Sequence, residues 1–206
     1  MAAVHQRGWC DGTGGNFSCV LQQEPLRLLM APSGVHKGAV PPRDLIQVNG
    51  EGAVIAGHGK ASAETALHLE IVRSCGAGAV LHTHSQAGTL LSQWALECGD
   101  GQARRERGQL ELSDLEMLKG LEGITTHACT VQIPVLANDQ DLPSLSARAR
   151  PLLAEAPYGL LIAGHGLYAW GRNLGSAVRH LEILEFLLEQ HWRRLLLRAI
   201  TRSLPA

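Results

Sequence analysis

Aromatic residues are scarce in this sequence of 206 residues, which holds only two tyrosines and two phenylalanines. An excess of one charge sign is also lacking, because 18 basic residues face 19 acidic ones and the formal net charge is -1. Proteins that bind nucleic acid or membrane surfaces normally carry a basic excess, so this balance argues against either partner. The sequence also contains no apolar run approaching the roughly 20 residues that span a bilayer.

The five cysteines are far apart, and the sequence contains no C-x-x-C pair. An odd number of cysteines at such spacing is typical of reduced thiols rather than of a disulfide framework. The first residues, MAAVHQRGWCDGTGG, include no apolar segment of the kind found in signal peptides. These features predict a cytoplasmic protein. The length and the hydrophobic content of 45% allow one domain over residues 1–206.

Apolar runs between turn residues predict strands in NFSCV, LRLLM, DLIQVN, GAVIAG, GAVLHTHS and ACTVQIPVL, and on both sides of the turn in YGLLIAGHGLYAWG. Helices are predicted over SAETALHLEIVRSC with Ser62 as N-cap, near residues 86–96, over LSDLEMLKGLEG, and over NLGSAVRHLEILEFLLEQHWRRLLLRAI. In LPSLSARARPLLAEAP, Pro151 is expected to interrupt or end the helix. The polar segment GDGQARRERGQ is predicted to be a surface loop. This mixture indicates an α/β domain.

Histidine is abundant, with ten residues, and two of them stand one residue apart in the segment HTHS. Successive side chains of a strand point to opposite faces, so His82 and His84 are expected to share one face. His165 lies between two glycines, which allow the backbone to turn tightly beside a bound group. Three neutral imidazoles with an open position suit a catalytic divalent metal, typically zinc. The alternative is that the pair consists of two ordinary polar residues on a sheet face.

Three turns offer groups that bind anions. GTGGNFS provides free backbone N–H groups and the Asn16 side chain. APSGVHKG provides Ser33, the N–H of Gly34 and the cation Lys37, which is one of only three lysines. Ser62 is placed near a helix N-terminus, where the helix dipole favours a phosphate. Each segment alone could be a plain turn or cap, but together they predict a phosphorylated small-molecule ligand.

Two carboxylates accompany these candidate sites. Glu64 follows Ser62 in the first turn of a predicted helix, and Glu116 lies among apolar residues in LEMLKG. Either residue could be a solvated charge on a helix. Near a metal, either could instead coordinate it or act as a general acid or base.

In this order, GTGGNFS, APSG, SAE, HTHS and GHGLYAWG resemble the class II aldolase/adducin family, over about residues 6–190. The resemblance implies a central, mostly antiparallel sheet flanked by helices, and subunits that form ring-like homotetramers. It places one zinc ion per subunit on His82, His84 and His165. The residues that would bind the substrate phosphate are Gly15, Asn16, Ser33, Gly34 and Ser62, with Lys37 as an added cation.

Within the family, APSGVHKG, SAET, LEMLKG and GHGLYAWGR resemble the members that dehydrate 5-methylthioribulose 1-phosphate in methionine salvage. The product would be 2,3-diketo-5-methylthiopentyl 1-phosphate. The resemblance assigns the acid/base role to Glu116, with Glu64 as the second candidate or an occasional metal ligand. Ala63 stands where sugar-phosphate aldolases typically carry a second serine, which favours dehydration. The N-terminal segment looks shorter than in relatives.

Two alternatives stay open at this point. One is a class II aldolase that cleaves a ketose 1-phosphate with the same metal and the same phosphate site. The other is a non-catalytic, adducin-like interaction module that has lost the metal. The presence of three histidines and two carboxylates argues against the module, and the LEMLKG segment argues against the aldolase.

Overall fold

Nine strands form one sheet in the computed structural model, which describes residues 1–97 and 105–203. The strands are β1 Asn16–Gln22, β2 Arg27–Met30, β3 Ile46–Asn49, β4 Val54–Ala56, β5 Ala79–Thr83, β6 Arg107–Ser113, β7 Thr130–Leu136, β8 Gly159–Ile162 and β9 Gly166–Gly171. Their spatial order is β4-β3-β2-β1-β5-β9-β8-β7-β6. Only β7 and β8 pair in parallel, and the other neighbouring pairs are antiparallel.

Helices cover both faces of this sheet. They are α1 Ala2–Gln6, α2 Thr65–Cys75, α3 Gln86–Trp94, α4 Leu142–Leu153 and α5 Leu174–Ser203, with 3₁₀ turns at Lys37–Ala39, Pro42–Asp44 and Glu116–Gly120. Helices α2 and α4 contribute buried side chains to one core, while α3 and α5 contribute to a second core. The prediction of a mostly antiparallel sheet flanked by helices is therefore confirmed.

Strand β5 separates the two cores and is buried along its whole length. Its residues are mostly apolar, and their side chains alternate between the faces. Val80 packs in the core with α2 and α4, whereas Leu81 packs in the core with α3 and α5. By the same alternation, His82 shares the face of Val80, and Thr83 shares the face of Leu81.

Glycine is required at the start of β5. Gly78 donates its N–H to the carbonyl of Gly171 at 2.8 Å and accepts from the N–H of Val20 at 2.8 Å, so it joins three strands. A Cβ at this position would lie 2.1 Å from the carbonyl oxygen of Arg172. A side chain would therefore push the central strands apart.

The start of α2 differs from the sequence-based prediction. The helix begins at Thr65 with Glu64 as its N-cap residue, and the Ser62 hydroxyl accepts from the Glu64 N–H at 3.3 Å. The prediction of Ser62 as the N-cap was wrong, because its hydroxyl closes a turn just ahead of the helix.

The segment LSDLEMLKGLEG does not form an α-helix. Strand β6 extends to Ser113, and Asp114 then adopts a left-handed φ of 56°. After this change of backbone direction, the chain forms the 3₁₀ turn that contains Glu116.

Two further segments depart from their predictions. Helix α4 continues through Pro151 and ends two residues later, at Leu153. The proline removes only the hydrogen bond of its own N–H. Residues 107–109 of the predicted surface loop belong to β6. Residues 99–104 of that segment lie outside the described residues.

The described cysteines, Cys10, Cys19, Cys75 and Cys129, are free thiols. Cys98 lies outside the described residues. Among the helices in residues 1–97 and 105–203, none combines the length and apolarity needed to cross a membrane.

Candidate metal centre

Three histidines and one glutamate meet at the C-terminal end of the central strand β5. His82 lies in β5, His84 follows that strand, His165 lies in the turn between β8 and β9, and Glu64 caps α2. One potential ligand atom from each of these four side chains lies within 4.8 Å of the others. The Nε2 atoms of His82 and His84 are 2.8 Å apart, which confirms that the two side chains share one face.

His82 is held in a fixed orientation. Its Nδ1 donates to the carbonyl oxygen of Leu167 at 3.0 Å, so the lone pair of a neutral ring is on Nε2. The ring of Tyr168 stacks on it with centroids 3.9 Å apart. Burial lowers the pKa of His82 well below its usual value, and burial also lowers the pKa of His84. Both imidazoles are therefore neutral, as metal coordination requires.

Glu64 lies against the histidines. Its Oε1 is 2.8 Å from Nε2 of His165 and 3.6 Å from Nε2 of His82, and its Oε2 accepts from the Asn16 amide. Burial opposes ionisation of this carboxyl. The hydrogen bond from His165, together with the positive charge that the three histidines carry when protonated, outweighs burial and lowers the pKa of Glu64 to about 2. The carboxylate therefore adds a negative charge to the cluster.

The donor set fits a divalent metal ion. Zinc–nitrogen bonds of about 2.0–2.1 Å place two ligands of a tetrahedral site about 3.4 Å apart. The Nε2 atoms of His82 and His165 are 3.4 Å apart, and those of His82 and His84 are closer, at 2.8 Å. Neutral imidazole nitrogens directed at one point repel one another through their lone pairs unless a proton or cation lies between them. The arrangement is therefore a candidate metal centre formed by Glu64, His82, His84 and His165.

The cluster opens into a cavity of about 340 Å³, named here the metal pocket. Glu64, His84 and His165 line it, together with every residue predicted to bind the phosphate: Gly15, Asn16, Ser33, Gly34, Lys37 and Ser62. A larger cavity, of about 810 Å³, lies beside Arg27 and Arg73. That cavity is lined by none of the four candidate ligands. The metal pocket thus combines the predicted ligands with the predicted anion-binding turns.

Gly15 allows the glycine-rich turn to approach the metal ligands closely. Its φ is +77°, and a Cβ at this position would lie 2.8 Å from the carbonyl oxygen of His82. The next residue, Asn16, pairs with His82 across β1 and β5 and is 6% exposed. The backbone of the turn therefore lies directly beside the ligand-bearing strand.

The family model described as "Class II Aldolase and Adducin N-terminal domain" matches residues 1–192. The chain belongs to this family. It is similar to methylthioribulose-1-phosphate dehydratase from Sorangium cellulosum, with 42% identity over 189 residues, which are 90% of this chain and 84% of that protein. It is also 42% identical over 205 residues to the protein of that name from Serratia proteamaculans, covering 97% of this chain and 95% of that protein.

A solved aldolase structure is also similar. L-fuculose-1-phosphate aldolase from Thermus thermophilus superposes with a TM-score of 0.71 at 27% identity. The match covers 99% of this chain and 93% of that one. The fold comparison therefore agrees with the family assigned from the sequence.

Lys37 lines the metal pocket, but its ammonium group binds the backbone of two turns. Its side chain is 1% exposed, and its Nζ donates to the carbonyl oxygens of Thr13 at 3.0 Å and Val35 at 3.1 Å. Burial lowers the pKa of its ammonium group. Lys37 thus ties together the two turns predicted to bind an anion, and direct contact with a phosphate stays a prediction.

Glu116 is not brought into the metal pocket within one chain. Its side chain is 67% exposed, contacts Lys119, and lies 3.6 Å from Nδ1 of His127. The hydrogen bond from Lys119 lowers the pKa of Glu116. Glu116 is not among the residues that line the metal pocket, and its acid/base role stays a prediction.

Sequence reasoning missed one wall of the metal pocket, the loop between β7 and α4. Asn138, Asp139, Gln140 and Leu142 line the pocket there. Their segment, ANDQDLP, is an ordinary polar loop with a helix cap. The loop lines the pocket because the parallel pairing of β7 with β8 places it beside the turn that carries His165. Only the strand order of the sheet would have predicted this.

We expect His84→Ala to weaken binding of a divalent metal by more than about 100-fold, because even changes to residues that only support a ligand cost 10–100-fold. Metal content after dialysis and calorimetric titration would measure this. His58→Ala is the matched control, because His58 is exposed and lies outside the cluster. Equal metal binding by the two variants would contradict the assignment of the centre.

Proposed function

We propose that this chain is a zinc-dependent dehydratase that converts 5-methylthioribulose 1-phosphate to 2,3-diketo-5-methylthiopentyl 1-phosphate in methionine salvage. The observation that carries the proposal is the opening of the cluster of Glu64, His82, His84 and His165 into a pocket lined by the turns that are predicted to bind an anion. Relatives 42% identical over most of the chain bear the name of this activity. The proposal takes residues 1–206 as one catalytic domain of a cytoplasmic homotetramer.

Zinc is the metal proposed, with one ion per subunit, because three imidazoles with a further open or carboxylate position form a typical catalytic zinc site. His82, His84 and His165 would hold the ion, and Glu64 would be an additional ligand or a neighbouring charge. When bound, the ion would act as a Lewis acid that makes the proton next to the substrate carbonyl more acidic.

The phosphate of the substrate would lie against the turns opposite the histidines. Ser33 and Gly34 are exposed at the mouth of the pocket, and Ser62 lies just ahead of α2. Free N–H groups and the positive end of the helix dipole favour a phosphate there. Holding the phosphate against these turns would fix which carbon of the substrate lies beside the base.

The reaction removes one water molecule. A base takes the proton from C3, and the C4 hydroxyl leaves as water after receiving a proton. The resulting C3–C4 enol then tautomerises to the 2,3-diketone, so atoms and charges balance. Glu116 is the proposed acid/base, and Glu64 is the second candidate because it already lies in the pocket.

Glu116 can serve in this role only if a second copy of the chain completes the pocket. Its carboxylate is exposed and does not line the metal pocket of its own chain. In a ring of four subunits, each contact joins different surfaces of two copies. We therefore propose that Glu116 acts on the pocket of a neighbouring subunit.

Mass spectrometry with the substrate tests the reaction. Zinc-loaded protein incubated with 5-methylthioribulose 1-phosphate is expected to give a product lighter by one water molecule. A chelated sample and His84→Ala are expected to give none, and His58→Ala is expected to behave like the parent protein. Two smaller fragments from a ketose 1-phosphate, with no water loss, would instead support an aldolase. No conversion by metal-loaded protein would contradict both activities.

Complementation between two inactive variants tests the role of Glu116. Co-expressed Glu116→Gln and His84→Ala subunits are expected to recover up to about one quarter of the parent activity, because some neighbours then supply one intact residue each. Co-expressed His82→Ala and His84→Ala subunits should stay inactive, since both changes damage the same cluster. Full activity of Glu116→Gln alone, or no recovery in the mixture, would contradict this role.

A further inference from the structure

A buried carboxylate lies behind the strand that carries two of the metal ligands. Glu185 of α5 is 2% exposed, and its Oε1 accepts a hydrogen bond from the hydroxyl of the fully buried Thr83. Thr83 stands between His82 and His84, and its side chain points to the opposite face of β5. Glu185 therefore contacts the ligand-bearing strand from the side away from the metal pocket.

A second hydroxyl next to His84 lies near this carboxylate, because Ser85 and Glu185 line the same cavity. Ser85 follows His84 and caps α3 by accepting from the N–H of Gly88 at 3.1 Å. Burial raises the pKa of Glu185 to about 7, although hydrogen bonding from the Ser85 and Thr83 hydroxyls partly offsets this. Its Oε2 has no well-formed hydrogen bond with any described residue. Glu185 thus accepts a hydrogen bond from the residue before His84 and lies near the residue after it.

The carboxylate is a costly residue to bury at this position. An apolar side chain of similar volume needs no polar partner, so a leucine would be buried at lower cost. Leu184 and Leu188 of the same helix are completely buried leucines. Packing alone therefore does not account for a glutamate at position 185, whereas its hydrogen bond with Thr83 connects it to the ligand-bearing segment.

We propose that Glu185 is a positioning residue that holds residues 82–85 so that the His82 and His84 rings converge on one metal ion. The Thr83 hydroxyl transmits this constraint, because it belongs to the residue that joins the two ligands. The inference rests on the proposed role of these histidines as metal ligands. It concerns the affinity and geometry of the metal site, which can be measured without substrate.

Titration with Co²⁺, followed by its visible absorption spectrum, tests this proposal because the spectrum reports ligand geometry. Glu185→Leu and Thr83→Val are each expected to weaken binding on the order of 10-fold and to change the spectrum. Glu185→Gln keeps the acceptor and Thr83→Ser keeps the donor, so both should restore the parent spectrum. The double variant Thr83→Val/Glu185→Leu should bind no more weakly than either single variant.

Leu184→Ala is the matched control, because it destabilises the same helix without removing the contact with Thr83. It is expected to lower thermal stability and to leave the Co²⁺ affinity and spectrum unchanged. If Glu185→Leu does not fold, Thr83→Val carries the same test. Parent-like Co²⁺ binding by the folded Leu and Val variants, or equal weakening by Leu184→Ala, would overturn the proposal.

Failure of the proposed metal site gives a different result from failure of this inference. A parent protein that binds no Co²⁺ would overturn the metal assignment itself, and the inference with it. If the parent protein binds Co²⁺ and all the variants bind it equally tightly, only the role of Glu185 is overturned.

Discussion

The antiparallel register of β5 with β9 is the constraint on which the site depends. His82 pairs with Tyr168, and Thr83 pairs with Leu167, at the end of the two strands. The chain that enters β9 comes from the turn containing His165, so this register places that turn beside His84. A slip of one residue would move His82 to the opposite face of the sheet and away from the cluster. Strand pairing therefore determines which imidazoles can share an ion.

Strand β1 pairs with β5 on the side opposite β9 and places the glycine-rich turn beside the candidate metal ligands. Asn16 pairs with His82 there, and its amide contacts the Glu64 carboxylate. The chain as a whole has a net charge of only -1, so binding of a phosphate would depend on local groups rather than on a general field. Lys37 contributes by joining two turns through their carbonyls. The buried Lys37 thus holds together the backbone of two turns that line the metal pocket.

The histidine pair could be predicted from the sequence because the period of two in a strand is a local property. His165 could be predicted as a partner from its flanking glycines, and the structure brings a ring nitrogen of His165 within 4.8 Å of the potential ligand atoms of the pair. Glu64 was anticipated as an acid/base or an occasional ligand, and the structure places it in contact with His165. These four residues were accessible to sequence reasoning because each lies in a short, recognisable segment.

Other features depend on contacts that no local pattern reveals. The wall that includes Leu142 depends on the pairing of β7 with β8, which is a property of the whole sheet. The Thr83–Glu185 contact joins residues 102 positions apart. Ser62 was misjudged as a cap because a serine before a helix can close a turn instead, and the two cases have the same sequence signal. The placement of Glu116 outside its own pocket likewise depends on the fold.

Anomalous X-ray diffraction from zinc-loaded crystals, recorded above and below the zinc absorption edge, is the most direct test of the central claim that these side chains form one metal centre. The account predicts one strong zinc peak per chain, within bonding distance of Nε2 of His82, His84 and His165. It would be contradicted by a peak elsewhere, or by a fully zinc-loaded protein with no peak among these three rings.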